Sequence, residues 1–475
     1  MIPTSADLIV VGGGLAGHSA AIRAAELGLK PVVLEAGAEA AYLCNSRITM
    51  GVFQVALHDM LGGVDSLRAA IDNAARGYVD AKLRDRYASE AGPALKWLLS
   101  QGVRTINAGA ATRSLATLAP PVPRQPGLHW TGRAGDVMLR QLASKLEALG
   151  GKLHRGMRAR ELILRDGRCV GVVAESVQGT HRIEARAVVI ADGGFQANLE
   201  LVKRFISAHP ERLLQRNAKT GRGDGLLMAE AAGAALSEMD RFYGHVQARD
   251  AMDDPELWPY PTIDFPIAAG IAVDKHGKRF TDEGLAGVSV ANAMARLDDP
   301  LGAVAIFDQA IWEASGKTYV MSANPFLETT EATFYRAKTL DELAAKAGLP
   351  AAALNETVAA YNNAVANNML AQLVPTRSVD TGHIWGSKAQ PIRTAPFFAV
   401  PLCAGLTYTM GGVVIDADAR VQHKNGGAIA GLYAAGGTIG GLEGGPATGY
   451  TGGLAKALTF GKIAGEMAAR DIKEN

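Results

Sequence analysis

The chain has 475 residues, which is long enough for two or more domains around a large hydrophobic core. Its 48 Lys and Arg residues nearly balance 47 Asp and Glu, and the formal net charge of +1 gives no electrostatic support for binding nucleic acid or an anionic membrane. The three cysteines are far apart, which argues against a disulfide scaffold or a zinc site, and no apolar run is as long as a membrane span. We expect a cytoplasmic protein without a bound metal, a membrane span or a nucleic-acid partner.

The first predicted unit is a strand, a tight turn and a helix. An apolar strand runs into a Gly-Gly-Gly-Leu-Ala-Gly turn over residues 12–17, and Ala-rich helical sequence follows. Gly12 permits the turn, Gly14 lets backbone N–H groups approach a pyrophosphate, and Gly17 lets the helix pack closely on the strand. A second apolar strand ends in Glu35, about 20 residues beyond the glycines, where a carboxylate can bind ribose hydroxyls. This combination predicts a dinucleotide site.

The middle of the chain alternates helical and strand-like sequence before its composition changes. The segments in chain order are helical sequence over 64–101, a Pro-rich loop over 119–126, a helix over 135–149, a hairpin over 162–173 and a strand over 187–191. That last strand ends in Asp192-Gly193-Gly194, which we expect to pass close to the dinucleotide. From residue 235 to residue 393 there are more prolines, aromatic residues and asparagines, and we interpret this span as an inserted domain.

The C-terminal part returns to strand and glycine sequence and ends in an Ala-rich helix. Gly431-Leu432-Tyr433-Ala434-Ala435-Gly436-Gly437 precedes another glycine-rich run between residues 440 and 453. We expect this second glycine-rich segment to close over the same cofactor as the first. The two segments together predict a bound FAD.

Ordered motifs over essentially the whole chain make it resemble the fumarate reductase/succinate dehydrogenase flavoprotein superfamily. The matching motifs are residues 12–17 with Glu35, Cys44-Asn45-Ser46-Arg47 followed by Gly51, Ala191-Asp192-Gly193-Gly194, Thr220-Gly221-Arg222-Gly223-Asp224-Gly225, residues 273–280, Thr409-Met410-Gly411-Gly412 and residues 431–436. The resemblance implies an α/β fold in which both chain ends, 1–234 and 394–475, build a Rossmann-like FAD-binding domain. It also implies an inserted α+β capping domain over 235–393.

The same resemblance assigns contacts with FAD. The residues it places at the cofactor, beyond Gly12, Gly14, Gly17 and Glu35, are Ala16, Asn45, Ser46, Gly51, Asp192, Gly193, Gly194, Asp224, Gly436, Gly437 and Leu454. In this family Asn45 and Ser46 would lie near the edge of the isoalloxazine ring. We expect the FAD to be noncovalent, because the early matching region offers only His18 and His58 as histidine donors and neither is an obvious one.

Three departures from the superfamily pattern concern charged groups that bind substrate. The arginine expected soon after residues 279–283 is replaced by Gly284-Leu285-Ala286-Gly287, and the histidine ahead of Thr409 is replaced in Leu406-Thr407-Tyr408. The late carboxylate-binding arginine is missing from residues 444–451. A dicarboxylate needs paired cationic groups to offset its desolvation. We therefore do not expect a succinate or fumarate enzyme.

Tyrosines stand where substrate-facing residues are expected. Tyr408 and Tyr450 occupy such positions, and Tyr260 lies in the capping segment that usually supplies another. A phenol can donate to a ketone oxygen, or as phenolate take a proton α to a carbonyl. This resembles the ketosteroid and cyclic-ketone (4-oxocyclohexanecarboxylate-type) dehydrogenases of the superfamily. We predict an FAD-dependent desaturase of a small cyclic ketone or keto acid, in which a tyrosine takes the α proton and hydride passes to flavin N5.

Two alternatives remain open from the sequence. A fumarate or enoate-type reductase, or a tricarballylate-like dehydrogenase, would need cationic carboxylate clamps, so an arginine cluster in the pocket would favour it. A flavoprotein electron-transfer subunit would show an exposed flavin edge and no closed cavity under the capping domain. The sequence does not identify the electron acceptor, which could be O2, a quinone or a redox protein.

Overall fold

The computed structural model describes residues 2–107, 116–237, 239–318, 322–379 and 387–474. Its strands are β1 (Ser5–Val11), β2 (Pro31–Glu35), β3 (Thr105–Ile106), β4 (Thr117–Leu118), β5 (Lys152–Arg155), β6 (Arg158–Arg165), β7 (Arg168–Ser176), β8 (Gly179–Ile190), β9 (Leu214–Gln215), β10 (Leu236–Ser237), β11 (Phe242–Ala248), β12 (Ile271–Val273), β13 (Val304–Asp308), β14 (Tyr335–Ala337), β15 (Phe397–Thr409), β16 (Gly412–Val413), β17 (Arg420–Gln422) and β18 (Ala428–Ala434). Its helices are α1 (Leu15–Glu26), α2 (Asn45–Ile48), α3 (Val64–Ala75), α4 (Ala81–Ser100), α5 (Ala134–Ala148), α6 (Leu199–Phe205), α7 (Asp224–Ala231), α8 (Asp264–Ala269), α9 (Ala286–Met294), α10 (Gln309–Glu313), α11 (Ala323–Phe326), α12 (Leu340–Ala347), α13 (Ala351–Ala366) and α14 (Gly453–Glu474).

The larger sheet is mostly parallel and contains strands from both chain ends. Its order is β17-β18-β8-β1-β2-β5, and the hairpin of β6 and β7 pairs antiparallel to β8. Strand β1 lies between β2 and β8 and is parallel to both. Its residues Leu8, Ile9 and Val10 are completely buried, because helices cover a parallel sheet on its faces. The carboxyl ends of β1, β2, β8 and β18 therefore meet at one edge.

The first and last helices pack against each other over this sheet. Helix α14 runs along α1 and also contacts α4. A Cβ on Gly465 of α14 would lie only 2.1 Å from the Ala20 carbonyl oxygen of α1, so glycine is needed for this close approach. The two ends of the chain are thereby fixed to each other.

A second sheet holds strands from the predicted inserted span. Its order is β11-β15-β13-β12, and β14 and β9 also pair with β15. Strand β15 lies beyond residue 393, where the sequence analysis placed the end of the insertion, yet it pairs antiparallel with β11 and β13. The exact domain division stays a prediction. The strand matters for the site because its C-terminal end carries Tyr408.

Charged side chains fix the short helix α2 in the interior. Arg47 pairs with Asp136 of α5, and both residues are almost completely buried. The Nε of Arg47 also donates a hydrogen bond to the Tyr42 carbonyl oxygen at 2.7 Å. A buried ion pair of this kind is costly to break, because removing one partner leaves the other charge unpaired. The pair therefore holds Asn45 and Ser46, at the start of α2, in a defined position.

The described part of the chain contains no helix that combines the length and the apolar character needed to cross a membrane. In the same residues, no group of histidine, cysteine and carboxylate side chains is arranged to hold a metal ion. Cys44, Cys169 and Cys403 are all free thiols.

Candidate functional site

A cavity of about 600 Å³ opens at the carboxyl edge of the larger sheet. It runs from the glycine turn after β1 to the end of β15, and residues from both chain ends line it. All but one of the residues predicted from the sequence lie on its wall: Gly12, Gly14, Ala16, Glu35, Asn45, Ser46, Gly51, Asp192, Gly193, Gly194, Asp224, Tyr260, Tyr408, Gly436, Gly437, Tyr450 and Leu454. Gly17 is the residue that does not line the cavity, because it lies where α1 packs on the glycine turn.

The glycine turn between β1 and α1 forms one end of the cavity. Gly12 has a φ of +103° and donates its N–H to the Leu34 carbonyl oxygen at 2.8 Å. A Cβ on Gly17 would lie 1.9 Å from the Gly12 carbonyl oxygen, so α1 approaches the turn as closely as backbone allows. The first turn of α1 carries no acidic side chain. The positive end of its dipole is therefore available to an anion such as a pyrophosphate.

The variant Gly17→Ala tests this close approach. Alanine favours a helix more than glycine does, so any loss must come from the clash with Gly12. We expect the variant to lose most of its bound FAD and about 1–3 kcal/mol of unfolding free energy. Gly63→Ala is a matched control, because a Cβ on Gly63 meets no atom within 4 Å. Flavin absorbance per protein and urea unfolding measure both effects, and full flavin content in Gly17→Ala would contradict the expectation.

Glu35 at the end of β2 holds two loops of the cavity wall. One carboxylate oxygen accepts the Gly13 N–H at 2.8 Å and the other accepts the Gly37 N–H at 2.7 Å. Burial raises the pKa of this carboxyl. Each carboxylate oxygen has a second lone pair, so the geometry leaves acceptors for the ribose hydroxyls that the sequence predicts as its ligands.

Two carboxylates connect the end of β8 to neighbouring elements. Asp192 accepts hydrogen bonds from the Gly225 N–H at 2.7 Å and from the Thr438 hydroxyl at 3.2 Å. Burial is the main reason why the pKa of Asp192 rises to about 7. Asp224 forms a bidentate pair with Arg158, with N–O distances of 2.7 and 2.8 Å. These contacts fix the cavity wall, which both residues line.

The start of α2 joins the glycine turn to the strand that carries Tyr408. Ser46 Oγ accepts the Leu15 N–H at 3.1 Å, at the beginning of α1. Asn45 donates to the Thr407 carbonyl oxygen at 2.9 Å and accepts the Ala218 N–H at 2.9 Å. The predicted polar pair therefore lies between the dinucleotide end of the cavity and its tyrosine end.

Tyr408 is hydrogen-bonded to a buried ion pair. Its hydroxyl donates to Glu443, with distances of 2.9 and 3.0 Å to the two carboxylate oxygens. Lys456 Nζ lies 2.6 Å from Glu443, and the Thr451 N–H donates to the same carboxylate at 3.0 Å. Burial, together with the negative charge of Glu443, raises the pKa of the Tyr408 phenol. The sequence analysis did not identify Glu443 or Lys456, because neither belongs to a recognisable motif.

Tyr450 has the opposite kind of hydrogen-bonding environment. Its oxygen accepts the Gly453 N–H at 3.3 Å and also interacts with the amide of Gln54. The Gln54 oxygen already accepts the Leu57 N–H, so its amide nitrogen is the group that faces Tyr450. Burial raises the pKa of Tyr450, so the phenol keeps its proton. The Tyr408 hydroxyl thus donates to a hydrogen-bond acceptor, whereas the Tyr450 oxygen accepts from hydrogen-bond donors.

A third phenol, Tyr243 of β11, lies between the other two. Its ring stacks on Tyr450 with centroids 4.2 Å apart and lies 5.2 Å from the ring of Tyr408. Its hydroxyl is 2.9 Å from His245 Nε2, and His245 Nδ1 makes a short contact with Asp264. Burial lowers the pKa of His245, so the neutral ring accepts the Tyr243 proton at Nε2. The sequence analysis missed Tyr243, because only the pairing of β11 with β15 places it opposite Tyr408.

Tyr260 lies next to an arginine. The guanidinium of Arg216 is 5.4 Å from the centre of its ring. Arg216 donates to the Thr407 hydroxyl at 2.8 Å and to the Pro259 carbonyl oxygen at 3.0 and 3.2 Å. It lines the cavity but was not predicted, although it precedes the matched motif over residues 220–225. The tyrosine end therefore retains a cation despite the loss of the family's arginines.

The match to a protein family identifies the cofactor of this cavity. A model of the FAD-binding domain family FAD_binding_2 matches residues 7–450 of the chain. The chain belongs to this family. The predicted cofactor, FAD, is confirmed, and the glycine turn, the helix N-terminus and the long cavity fit a dinucleotide of this size.

Known proteins similar to this flavoprotein act on different compounds. NADH:acrylate oxidoreductase from Vibrio harveyi is 32% identical over 70% of this chain, and this chain spans only 32% of that protein. The 4-oxocyclohexanecarboxylate 2-dehydrogenase from Sinomonas cyclohexanicum is 29% identical over 72% of this chain and 62% of that protein. The crystal structure of 3-ketosteroid Δ4-(5α)-dehydrogenase from Rhodococcus jostii RHA1 with 4-androstene-3,17-dione has a TM-score of 0.71 and 25% identity, covering 98% of this chain and 97% of that chain.

These similarities confirm several predictions from the sequence. Fumarate reductases are also among the relatives, so the predicted superfamily is confirmed, as is the α/β flavoprotein fold. The class of FAD-dependent oxidoreductases is confirmed at the level of the family. The roles of individual residues stay predictions.

Proposed function

We propose that this flavoprotein removes hydrogen from a C–C bond next to a carbonyl group, in a cyclic ketone or keto acid. The observation that carries the proposal is the opposite hydrogen bonding of two phenols in one cavity: Tyr408 donates to a carboxylate, whereas Tyr450 accepts from amide groups. Such a desaturation needs a base for the α proton and a donor for the carbonyl oxygen. The cavity contains one phenol suited to each task.

Tyr408 is the proposed base. Because its own proton points to Glu443, its oxygen lone pairs are directed elsewhere and can take the α proton of a substrate. The α C–H bond breaks, a new O–H bond forms at Tyr408, and the original phenol proton passes to Glu443. This relay avoids a free phenolate, which the raised pKa of Tyr408 disfavours. Lys456 pairs with Glu443 and holds this carboxylate in place to accept the proton.

Tyr450 is the proposed donor to the carbonyl oxygen. Its oxygen accepts hydrogen bonds from Gly453 and Gln54, so its O–H is the group that can donate to the carbonyl oxygen. This donation stabilises the enolate that develops when the α proton leaves. Tyr243 is a positioning residue, since its ring packs against both other phenols while His245 and Asp264 hold its hydroxyl. When bound, FAD supplies the acceptor for the hydride that leaves the β carbon.

Residues of the capping span also support a substrate site. Tyr243, Trp258 and Tyr260 line the same cavity as the glycine turn. This arrangement favours an enzyme with its own substrate over an electron-transfer subunit, for which the sequence analysis expected no cavity under the capping domain.

The test is an anaerobic mixing experiment with the FAD-loaded protein. Oxidised enzyme is mixed with 4-oxocyclohexanecarboxylate, cyclohexanone or a 3-ketosteroid, and the visible flavin absorbance is followed. We expect at least one of the saturated ketones to bleach the flavin. If none bleaches it, while an unsaturated acid such as acrylate reoxidises the dithionite-reduced enzyme, the protein is a reductase and the proposal is wrong.

The reductase is the second candidate, and Arg216 is the observation that favours it. An arginine in the cavity can bind the carboxylate of an enoate, and one similar protein is named for acrylate. The sequence analysis expected a cluster of arginines for this activity. Among the described residues, Arg216 is the arginine that contacts the tyrosine end of the cavity, whereas Arg158 is paired with Asp224.

A further inference from the structure

We propose that Arg216 forms a subsite for a single carboxylate, and that the substrate is therefore a monocarboxylate rather than a neutral ketone or a dicarboxylate. This inference rests on the proposed function, because it names the class of substrate for that same cavity. It starts from the burial of the guanidinium: Arg216 is only 6% exposed, yet it lies on the cavity wall.

The partners of Arg216 are neutral. Its three hydrogen bonds go to the Thr407 hydroxyl and the Pro259 carbonyl oxygen, and the face of Tyr260 lies beside it. In the described ranges of the chain, no carboxylate oxygen lies within 4 Å of its guanidinium nitrogens. A buried cation is costly unless an anion accompanies it. Among the described residues, Arg216 thus has no directly paired anion, and a bound carboxylate would supply one.

The hydrogen-bonding capacity of Arg216 matches one carboxylate. A guanidinium has five N–H donors, of which three are used here, so two remain for an incoming anion. Arginine binds carboxylates through two such donors in parallel. The contacts with Pro259 and Thr407 hold the guanidinium in place, so little side-chain entropy is lost when the anion binds.

The neighbouring charges limit the site to one carboxylate. The other buried cation at the tyrosine end, Lys456, is already paired with Glu443 at 2.6 Å. A second carboxylate beside Lys456 would meet the negative charge of Glu443, which already occupies that cation. The position also suits the chemistry, because Arg216 is bonded to Thr407, the residue before the proposed base. A keto acid could place its carboxylate at Arg216 and its α carbon near Tyr408.

The experiment measures binding without turnover. Cyclohexanecarboxylate has the carboxylate but no ketone, and its binding to the FAD-loaded enzyme is followed by the change in the visible flavin spectrum. Cyclohexanone, which has the ketone but no carboxylate, and trans-cyclohexane-1,4-dicarboxylate are measured in the same way. We expect Arg216→Gln to weaken binding of cyclohexanecarboxylate about 10- to 100-fold and to leave cyclohexanone unchanged, since a charged hydrogen-bonded pair is lost.

Two further variants distinguish the effect of the Arg216 charge from a general effect of substitution on the fold. Arg216→Lys keeps the charge without the fork of donors and should restore part of the affinity. Arg204→Gln removes an exposed arginine that pairs with Glu230 and should bind as the unchanged protein does. The inference is overturned if Arg216→Gln binds cyclohexanecarboxylate as well as the unchanged protein does, or if the dicarboxylate binds more tightly than the monocarboxylate. Binding through Arg216 without any flavin bleaching by ketones would overturn the desaturase proposal alone.

Discussion

Replacing Tyr408 with phenylalanine is expected to slow flavin reduction by the substrate about 10²- to 10⁴-fold. The substitution removes the oxygen that would take the α proton, together with its hydrogen bonds to Glu443. The glycine turn and the rest of the FAD contacts are untouched, so the flavin content should stay normal. Rapid mixing under anaerobic conditions measures the rate, and the flavin spectrum of the purified protein measures the cofactor content.

Tyr433→Phe provides a matched control for this prediction. Tyr433 is buried and also donates its hydroxyl to a carboxylate, that of Asp471, but it lies in β18 outside the FAD cavity. Its loss should leave flavin reduction nearly unchanged. A Tyr408→Phe enzyme that reduces flavin at the normal rate would remove Tyr408 from the mechanism. In that case Tyr243, which donates to His245, would become the next phenol to replace.

Replacing Lys456 with methionine is expected to lower the free energy of unfolding by about 3–5 kcal/mol. Lys456 and Glu443 are 1% and 0% exposed, so the substitution leaves a buried carboxylate without its cation. Glu443 would also lose the contact that positions it as the acceptor of the Tyr408 proton. We therefore expect flavin reduction to fall as well as stability. Urea unfolding and anaerobic mixing measure the two effects separately.

The double variant Lys456→Met with Glu443→Gln distinguishes the structural effect from the chemical one. It removes both charges, so much of the lost stability should return, because replacing both partners of a buried pair is far less costly than removing one. Flavin reduction should stay slow, since a glutamine cannot accept the phenol proton. Recovery of the rate together with the stability would show that the pair only supports the fold.

The sequence predicted the parts of the site that local chemistry determines. The turn over residues 12–17 was predicted because its strand, its glycines and its helix follow one another in the chain. Their structure does not depend on a segment that is distant in sequence. Tyr408 was also recognisable, since it stands beside a matched motif, and Tyr450 was predicted from the segment that lacks the family's late arginine. The structure brings both into one cluster with Tyr243. Their exact roles depended on neighbours that the sequence alone does not reveal.

The residues that were missed depend on contacts between distant segments. Tyr243 becomes part of the phenol cluster only through the antiparallel register of β11 and β15. Glu443 and Lys456 meet because a glycine-rich loop folds back on the start of α14. Arg216 reaches the cavity from the chain just after β9, and its partners Pro259 and Thr407 lie far away in sequence. Without strand register and loop path, none of these side chains could be given a partner.

The close packing of α1 on α14 has a consequence for the order of events during synthesis. The glycine turn after β1 is made before the strand β18 and the helix α14, which lie more than 400 residues later in the chain. Until then β8 lacks its parallel neighbour β18, and the part of the cavity wall that contains Gly436, Tyr450 and Lys456 does not exist. Contacts between such distant segments form slowly. We therefore expect FAD to bind only after β18 and α14 have been synthesised, because they complete the wall of its cavity.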